Sequence, residues 1–254
     1  MKENKLKKAL QAGKVTVGPF SKITDPAVVE IMAFAGFDFI IIDMEHGPIS
    51  IEHAQNMIRA AESADITPII RVRKNDETLT LRALDIGVQG IEIPQINRKM
   101  DAELAVKAVK YAPDGERGVC RYVRAAQYSS QDKYEYFTKA NQETAIIIHI
   151  EGIEGIRNLE DILSVPGLDV IFIGPYDLSQ SLGIPGQVNH PSVIEKMSEV
   201  IKKCQQAKIA VGTFADDIAT AKKWIDLGVK YMSFSVDVGI LFQAAQNVVQ
   251  QLKK

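Results

Sequence analysis

The chain has 254 residues, of which 46% are hydrophobic and 24% charged, proportions typical of an ordinary globular protein. Thirty basic against thirty-two acidic residues give a formal net charge of −2, which argues against a nucleic-acid binder because such proteins usually carry a basic surface. The two cysteines, Cys120 and Cys204, match no zinc or redox spacing and exclude a disulfide framework, so we expect a reducing cytoplasm.

The N-terminal segment MKENKLKKALQAGK is basic but has no apolar core of the kind found in signal peptides. Leu6, Ala9 and Leu10 recur at helical spacing, which predicts a short amphipathic helix covering one end of the domain. No stretch reaches the roughly 18 apolar residues needed to cross a bilayer, so we expect no membrane partner. Because no low-complexity linker divides the chain, residues 1–254 are predicted to form a single domain.

Short apolar runs alternate with longer amphipathic stretches along the chain. Several runs, such as FIII and AIII, are continuously apolar, which is typical of strands buried on both faces of a parallel sheet. The predicted strands are Val15–Pro19, Asp38–Asp43, Pro68–Val72, Gln89–Ile93, Ala145–Ile150, Asp169–Ile173, Ala210–Thr213 and Tyr231–Ser235. The predicted helices are Pro26–Ala35, Ile51–Ala64, Thr78–Ile86, Asp101–Tyr111, Ile153–Leu163, Pro191–Ala207, Ile218–Leu227 and Ile240–Lys253.

A weak internal repeat supports a βα architecture. Gly36, Gly87, Gly167 and Gly228 each stand just before a predicted strand, where glycine can adopt the left-handed conformation that ends a helix. Eight βα units in about 250 residues predict an α/β protein with a single (β/α)8 TIM barrel. A doubly wound open sheet is the alternative, but the Gly-rich phosphate turn that usually accompanies it is absent from the sequence.

Ionisable residues follow the predicted strands, at the end of an α/β barrel where active sites lie. They are Asp43, Glu45 and His46 after strand two, Arg71 at the end of strand three, His149 and Glu151 at strand five, and Asp177 after strand six. Two hard carboxylates without a multi-Cys or multi-His set favour Mg²⁺ or Mn²⁺. With a histidine and an arginine nearby, this set suits proton abstraction or C–C cleavage beside a carbonyl.

Each of these residues also has a structural interpretation. Glu151 could belong to an ion pair instead of a metal site, and Asp177 could be the N-cap of the following helix. His46 could simply be exposed, and Arg71 could pair with a core carboxylate instead of clamping an anion. Glu92, which has isoleucine on both sides within a strand, receives no role from the sequence.

Six segments resemble the HpcH/HpaI aldolase family: FDFIIIDMEHGP, PIIRVRKND, ALDIGVQGIEIPQI, YAPDGERGV, IIIHIEGIEGIRNL and VIFIGPYDLSQSLG. The resemblance runs in order through nearly the whole chain. It implies a class II aldolase that reversibly cleaves a 4-hydroxy-2-oxo acid to pyruvate and an aldehyde through a metal-stabilised pyruvate enolate. It also implies a divalent cofactor, usually Mg²⁺, Mn²⁺ or Co²⁺, and a homohexamer whose C-terminal helix packs on a neighbour.

Carried over by motif, the site residues take the following roles. Glu151 and Asp177 would be the metal ligands, with Asp177 also close to the substrate. His46 would be the general base, oriented by Asp43 and made more basic by Asp85 of a neighbouring subunit. Arg71 would hold the pyruvate oxygens. The backbone amide of Tyr176 would contact the substrate carboxylate, and His149 would line the substrate site.

This chain departs from the best-known aldolases at two of these positions, where they have Gln in place of His149 and a small residue in place of Tyr176. Arg121 and Arg124 are also extra, and could bind an anionic acceptor or be solvated. Three rival functions remain at this point. They are a metal-dependent C–C lyase acting on a CoA thioester or decarboxylating oxaloacetate, a Schiff-base aldolase using Lys22 or Lys74, and a non-catalytic binding barrel.

Overall fold

The structure, a computed structural model, describes residues 2–130 and 132–253. Within these residues, eight strands close into a barrel in chain order, and every neighbouring pair is parallel, including the first and the last. The strands are β1 (Thr16–Ser21), β2 (Phe39–Asp43), β3 (Thr67–Arg71), β4 (Gly90–Ile93), β5 (Ala145–Ile150), β6 (Val170–Ile173), β7 (Ala210–Ala215) and β8 (Tyr231–Val236).

Helices connect the strands and surround the barrel. They are α1 (Lys5–Gln11), α2 (Pro26–Phe34), α3 (Ile51–Ala64), α4 (Glu77–Asp85), α5 (Lys99–Val109), α6 (Lys133–Glu143), α7 (Ile153–Arg157), α8 (Leu159–Leu163), α9 (Pro175–Ser181), α10 (Pro191–Ala207), α11 (Ile218–Asp226) and α12 (Asp237–Leu252), with a 3-10 helix at Arg124–Ser129. No helix of the described ranges is long and apolar enough to cross a membrane.

The predicted (β/α)8 barrel is confirmed, and each of the eight predicted strands ends within two residues of the observed one. The four glycines of the repeat all have positive φ angles, between 94° and 112°. These are left-handed values that a residue with a Cβ adopts only with strain. Each glycine therefore turns the chain from a helix into the next strand.

The helix predictions needed three corrections. The predicted helix over residues 153–163 is two helices, α7 and α8, which meet at Asn158. Helix α6 was missed because it buries little apolar surface, mainly Tyr136 and Ala140. Helix α9 was also missed. Its N-cap is Gly174, so Asp177 is a first-turn residue of α9 and the N-cap interpretation of Asp177 was wrong.

Two hydrophobic cores hold the barrel and determine where the site can lie. The larger core fills the layer between strands and helices, and includes Ile148 and Ile150 as the alternation along β5 predicts. The smaller core lies inside the barrel, where Leu6 of α1 packs with Phe39 and other inward-facing residues. Helix α1 is also attached to the N-terminal side of the barrel by hydrogen bonds, because its N-cap residue Asn4 donates to the backbone carbonyls of Gln89 and Glu143. The opposite, C-terminal mouth stays open.

Candidate active site

The C-terminal mouth holds a cavity of about 570 Å³ that gathers most of the predicted site residues. Its walls come from the ends of β1, β2, β3, β5, β6, β7 and β8 and from the start of α12. Seven of the eight predicted residues line it: Asp43, His46, Arg71, His149, Glu151, Tyr176 and Asp177. Asp85 lies elsewhere. Reading the residues that follow each predicted strand therefore assembled one site from the ends of four strands, β2, β3, β5 and β6.

Asp43 and Arg71 form a buried, two-pronged ion pair at the cavity floor. Arg71 Nε donates to Asp43 Oδ1 at 3.0 Å and Nη2 donates to Oδ2 at 2.8 Å, while the carboxylate is fully buried. Burial alone would raise the pKa of Asp43, but the hydrogen bonds and charge of Arg71 outweigh it and hold that pKa below its ordinary value. The guanidinium also lies 4.5 Å from the centre of the Phe20 ring.

Arg71 keeps capacity for a ligand despite this pairing. Its Nη1 lies 3.1 Å from Glu45 Oε2, so three of its five N–H groups face carboxylates of the chain. The remaining two have no acceptor among the residues that the structure describes, which leaves them for oxygen atoms of a ligand in the cavity. Both sequence interpretations of Arg71, core ion pair and anion clamp, are compatible with this geometry.

His46 stands at the edge of the cavity, and its side chain is 62% exposed. Its Nε2 lies 3.9 Å from Glu45 Oε2. Asp43 contacts the backbone of this loop and not the imidazole, because its Oδ1 accepts the N–H groups of Glu45 and His46 at 3.1 and 3.2 Å. Asp43 therefore contacts His46 through its backbone N–H, and its predicted role in orienting His46 would act through this loop.

His149 is buried between two carboxylates. Its Nδ1 lies 3.1 Å from Glu151 Oε2 and its Nε2 lies 2.7 Å from Glu92 Oε1, while its ring stacks on Phe172 at a centroid distance of 4.4 Å. Burial opposes the charged form, but the two carboxylates outweigh it and raise the pKa of His149 to about 9. Both ring nitrogens are occupied, so His149 braces Glu151, and because His149 also lines the cavity its contact with a substrate stays a prediction.

Glu151 and Asp177 are the two carboxylates that could hold a cation. Glu151 is fixed at both oxygens, because Oε1 accepts the Gln95 N–H at 2.8 Å and Oε2 faces His149. Burial raises the pKa of Glu151, but His149 and the Gln95 N–H outweigh burial and hold that pKa below its ordinary value. Asp177 has no hydrogen-bond partner among residues 2–130 and 132–253, and burial together with repulsion from Glu151 raises its pKa.

A divalent cation fits these two residues chemically. A carboxylate without a partner that is repelled by a second, oriented carboxylate is stabilised when a cation binds between them. In the described ranges no group of three or more His, Cys, Asp or Glu side chains forms a ready-made metal cage. Two protein carboxylates, with the other positions left to substrate and water, are an arrangement that suits Mg²⁺.

Tyr176 and Asp216 form the wall of the cavity beyond Asp177. The Tyr176 hydroxyl donates to Asp216 Oδ2 at 2.6 Å, which raises the pKa of Tyr176 to about 12. The ring lies edge-on to Phe214. The backbone N–H of Tyr176 belongs to the first turn of α9, where Gly174 supplies no side-chain cap and helical N–H groups have no internal acceptor. This N–H has no acceptor within the helix, so it can make the predicted contact with a substrate carboxylate.

The structure does not bring Asp85 into this cavity. Asp85 ends α4 and accepts a hydrogen bond at 2.9 Å from Arg117, whose side chain is almost completely buried. The two extra arginines lie apart from the cavity as well. Arg124 pairs with Glu62, and Arg121 lies over the Tyr122 ring. Neither therefore provides an anion site for an acceptor in this subunit's cavity.

The two lysines of the Schiff-base alternative differ in position. Lys22 lines the cavity, and its Nζ lies 3.8 Å from Asp43 Oδ2. Its backbone N–H is bound by the buried carboxylate of Asp237 at the start of α12. Lys74 is mostly exposed beside Asp76 and lies outside the cavity. Only Lys22 could therefore meet a substrate in this site.

Sequence reasoning passed over three polar residues at or beside the site. Glu92 stands in a strand between two isoleucines that face the helices, and this alternation was a signal that Glu92 points inward. Glu45 was seen as one of several acids after β2 but received no role. Asp216 was missed because β7 extends two residues beyond the predicted strand end.

Comparisons with known proteins identify the family of this chain. The profile of the HpcH/HpaI aldolase/citrate lyase family matches residues 16–244. A pyruvate aldolase of Rhizobium etli is 34% identical over 243 residues, covering 96% of this chain and 95% of its own length. A 5-keto-4-deoxy-D-glucarate aldolase of Escherichia coli is 32% identical over 251 residues, covering 99% of this chain and 97% of its own.

A solved structure agrees with the barrel as well. The crystal structure of a HpcH/HpaI aldolase/citrate lyase family protein from Burkholderia cenocepacia J2315 is 34% identical, with a TM-score of 0.94 over 99% of this chain and 100% of that one. Aldolase appears in the names of both relatives above, which supports an enzyme of the aldolase type of lyase. The match over nearly the whole chain shows that this protein belongs to the HpcH/HpaI aldolase/citrate lyase family.

Proposed function

We propose that this protein is a class II aldolase that reversibly cleaves a 4-hydroxy-2-oxo acid to pyruvate and an aldehyde. The observation that carries the proposal is the presence of the Glu151 and Asp177 carboxylates in one cavity with Arg71 and His46, where Glu151 repels Asp177 and Asp177 is unpartnered in the described ranges. Family membership and the names of the relatives support the same chemistry.

Glu151 and Asp177 would hold the divalent cation, with Mg²⁺ or Mn²⁺ as the proposed ion. When bound, the cation supplies Lewis acidity beside the keto group of the pyruvate half. The two free N–H groups of Arg71 would bind the oxygen on which negative charge develops. The first-turn N–H of Tyr176 would orient the carboxylate of the same half.

His46 would move the proton. In cleavage it takes the proton from the 4-hydroxyl group while the bond between C3 and C4 breaks and its electron pair passes to the pyruvate half as the enolate, which is then protonated at C3 to give pyruvate. In condensation these steps run in reverse, and His46 returns the proton to the new hydroxyl. Its exposed position at the cavity edge suits this role, because the aldehyde half of the substrate would lie beside it, near the open mouth. Phe20, Phe214 and the Tyr176–Asp216 pair would surround that half.

The proposal is tested with a panel of pyruvate and aldehydes, using protein stripped with a chelator and then reloaded. We expect no aldol turnover without metal and recovery with Mg²⁺ or Mn²⁺, whereas full activity in the stripped protein would contradict the class II assignment. Oxaloacetate and a CoA thioester belong in the panel because the family includes citrate lyases by name. Borohydride with pyruvate should give no covalent adduct, and an adduct on Lys22 would favour the Schiff-base alternative.

We further propose a homohexamer in which Asp85 reaches His46 of a neighbouring subunit. Asp85 is partly exposed on the outside of its own barrel, and α12 carries exposed apolar residues such as Leu241, Phe242 and Leu252 that a neighbour could cover. A carboxylate beside His46 would raise the basicity of its imidazole.

The proposed compartment is the cytoplasm. Cys120 and Cys204 are free thiols, which supports the reducing cytoplasm expected above.

Subunit mixing tests the shared site. His46→Ala subunits keep Asp85 but have no base, and Asp85→Asn subunits keep the base but offer no carboxylate. Each variant alone should be impaired. After unfolding, mixing and reassembly, random pairing makes roughly a quarter of the sites complete. Recovery toward that fraction supports the shared site, and activity equal to the average of the two variants would contradict it.

A further inference from the structure

A charged group that the proposed reaction does not use lies inside the barrel, one layer below the cavity. Glu92 on β4 is fully buried, and among the described residues its only hydrogen bond is the 2.7 Å contact from Oε1 to His149 Nε2. Its second oxygen is buried without a partner in that same part of the chain. A carboxylate in this position is costly unless it performs a task, since an apolar side chain would fill the space without the desolvation penalty.

The contact between Glu92 and His149 leaves the imidazole one orientation. The ring is stacked on Phe172 with 21° between the planes, so it can turn only within its own plane or flip. Glu92 fixes Nε2, and this directs Nδ1 toward Glu151 Oε2 at 3.1 Å. Without Glu92, no contact on the barrel side would oppose a flip of the His149 ring.

The next link is from His149 to Glu151. The Glu151 carboxylate is held at Oε2 by His149 and at Oε1 by the Gln95 N–H, at 3.1 and 2.8 Å. Each carboxylate oxygen has a second lone pair, so both remain able to bind a cation. The Gln95 backbone is itself fixed in a left-handed conformation with φ of 59°. The rotation of the carboxylate plane therefore depends on the imidazole.

We propose that Glu92 is a positioning residue, which holds His149 so that His149 orients Glu151 toward a divalent cation. The inference rests on the proposed function for the cation itself, and adds the residue that determines the geometry of one ligand. Partners behind metal ligands usually change metal affinity or activity by about 10- to 100-fold when they are removed. Glu92 should therefore act on metal affinity although it lies outside the cavity lining.

The test measures Mn²⁺ affinity by titration calorimetry and by electron paramagnetic resonance of free Mn²⁺, in the absence of substrate. Glu92→Leu removes the contact with Nε2, and Glu92→Asp keeps the charge but is one methylene too short to make it. Both should weaken Mn²⁺ binding by about 10- to 100-fold. Glu92→Gln keeps both the reach and an acceptor oxygen, so it should bind within about threefold of wild type.

Two controls separate positioning from general damage. Thermal unfolding and circular dichroism report whether each variant is folded at the temperature of the titration, and Glu92→Asp still tests the idea if Glu92→Leu does not fold. Glu195→Leu removes an exposed carboxylate on α10 and should leave Mn²⁺ affinity unchanged. The double variant Glu92→Leu with His149→Gln should recover part of the lost affinity, because a glutamine can bond Glu151 without a charged partner behind it.

The outcomes distinguish this inference from the proposed function. Wild-type protein that binds no Mn²⁺ would overturn the metal assignment of the proposed function. Wild-type protein that binds Mn²⁺, with folded Glu92→Leu or Glu92→Asp binding it equally well, would overturn only the role of Glu92. Weaker binding in Glu92→Asp with near-normal binding in Glu92→Gln supports the positioning role, because a loss due only to the removed charge would show the opposite order.

Discussion

Removing either partner of the Asp43–Arg71 pair should destabilise the fold, and the two losses should be unequal. Arg71→Met leaves the Asp43 carboxylate fully buried, with two backbone N–H groups and the Lys22 ammonium at 3.8 Å as its remaining partners. Asp43→Asn leaves Arg71 with a second carboxylate, since Nη1 still lies 3.1 Å from Glu45. The arginine therefore keeps a counter-charge at 3.1 Å, whereas the aspartate keeps only the more distant ammonium of Lys22 at 3.8 Å.

The magnitudes follow from these remaining contacts. Breaking a buried ion pair by removing one partner costs about 3–5 kcal/mol, and because the ammonium of Lys22 stays at 3.8 Å from Asp43 we expect Arg71→Met to lower the free energy of unfolding by an amount near the lower end of that range. Asp43→Asn weakens hydrogen bonds to a charged group, which costs about 1.5–3 kcal/mol. Because the two side chains contact each other through two hydrogen bonds, the double variant should lose less than the sum, with a coupling energy of about 1–3 kcal/mol.

Urea unfolding followed by circular dichroism measures all three variants, at one protein concentration because subunit association adds to apparent stability. An Arg71 that served only as a substrate clamp would give a variant with normal stability and low activity. Losses that add within about 0.5 kcal/mol, or an Asp43→Asn variant less stable than Arg71→Met, would refute the pairing argument.

Three further predictions concern single residues. His46→Ala should lower aldol turnover by roughly 10²–10⁴-fold, the usual scale for a general base, and leave Mn²⁺ affinity within about threefold, because His46 is not a proposed metal ligand. A collapse of metal binding would contradict its role as the base. Tyr176→Phe removes the bond to Asp216 at 2.6 Å and should change the KM for the aldehyde while leaving that for pyruvate nearly constant in steady-state assays. Burial, helped by the charge of Lys7, lowers the pKa of Lys110 to about 8, below its unfolded value of 10.5. The unfolded chain therefore binds more protons between these values, and stability should rise with pH there by up to about 3 kcal/mol, a rise that Lys110→Met should remove from urea midpoints compared at about pH 7.5 and about pH 10.

The barrel could be predicted from sequence because its strands are buried on both faces. Continuous apolar runs such as the one ending at Asp43 leave few alternatives to a parallel strand, and the four repeat glycines, all with positive φ, precede four of the eight strands, β2, β4, β6 and β8. The strand-end rule then located the site, because polar residues that directly follow such runs meet at one mouth. Helices with little buried surface, such as α6, gave no comparable signal.

What the sequence could not give was the pairing of the charges. Asp43 was expected to orient His46, but its bond to Arg71 could not be foreseen, because only the strand register places these two side by side as partners on β2 and β3. The same holds for His149, whose two carboxylate partners could not be read from the sequence. Distance along the chain says nothing about which of several carboxylates reaches an imidazole 57 residues away.

Inside a closed barrel, an inward-facing charge has no route to water except through the open mouth, so it is paired with whatever its neighbouring strands supply. Asp43 with Arg71 and Glu92 with His149 are both pairs between adjacent strands, β2 with β3 and β4 with β5. Alternation along β4 alone puts Glu92 on the inward face, and the next strand offers a single inward ionisable group, His149. The other adjacent strand, β3, offers Arg71 as the register neighbour of Glu92, but Arg71 is held by Asp43 and Glu45, and Glu92 bonds His149. A buried acid within a strand of such a barrel should be examined first against the inward residues of the two adjacent strands.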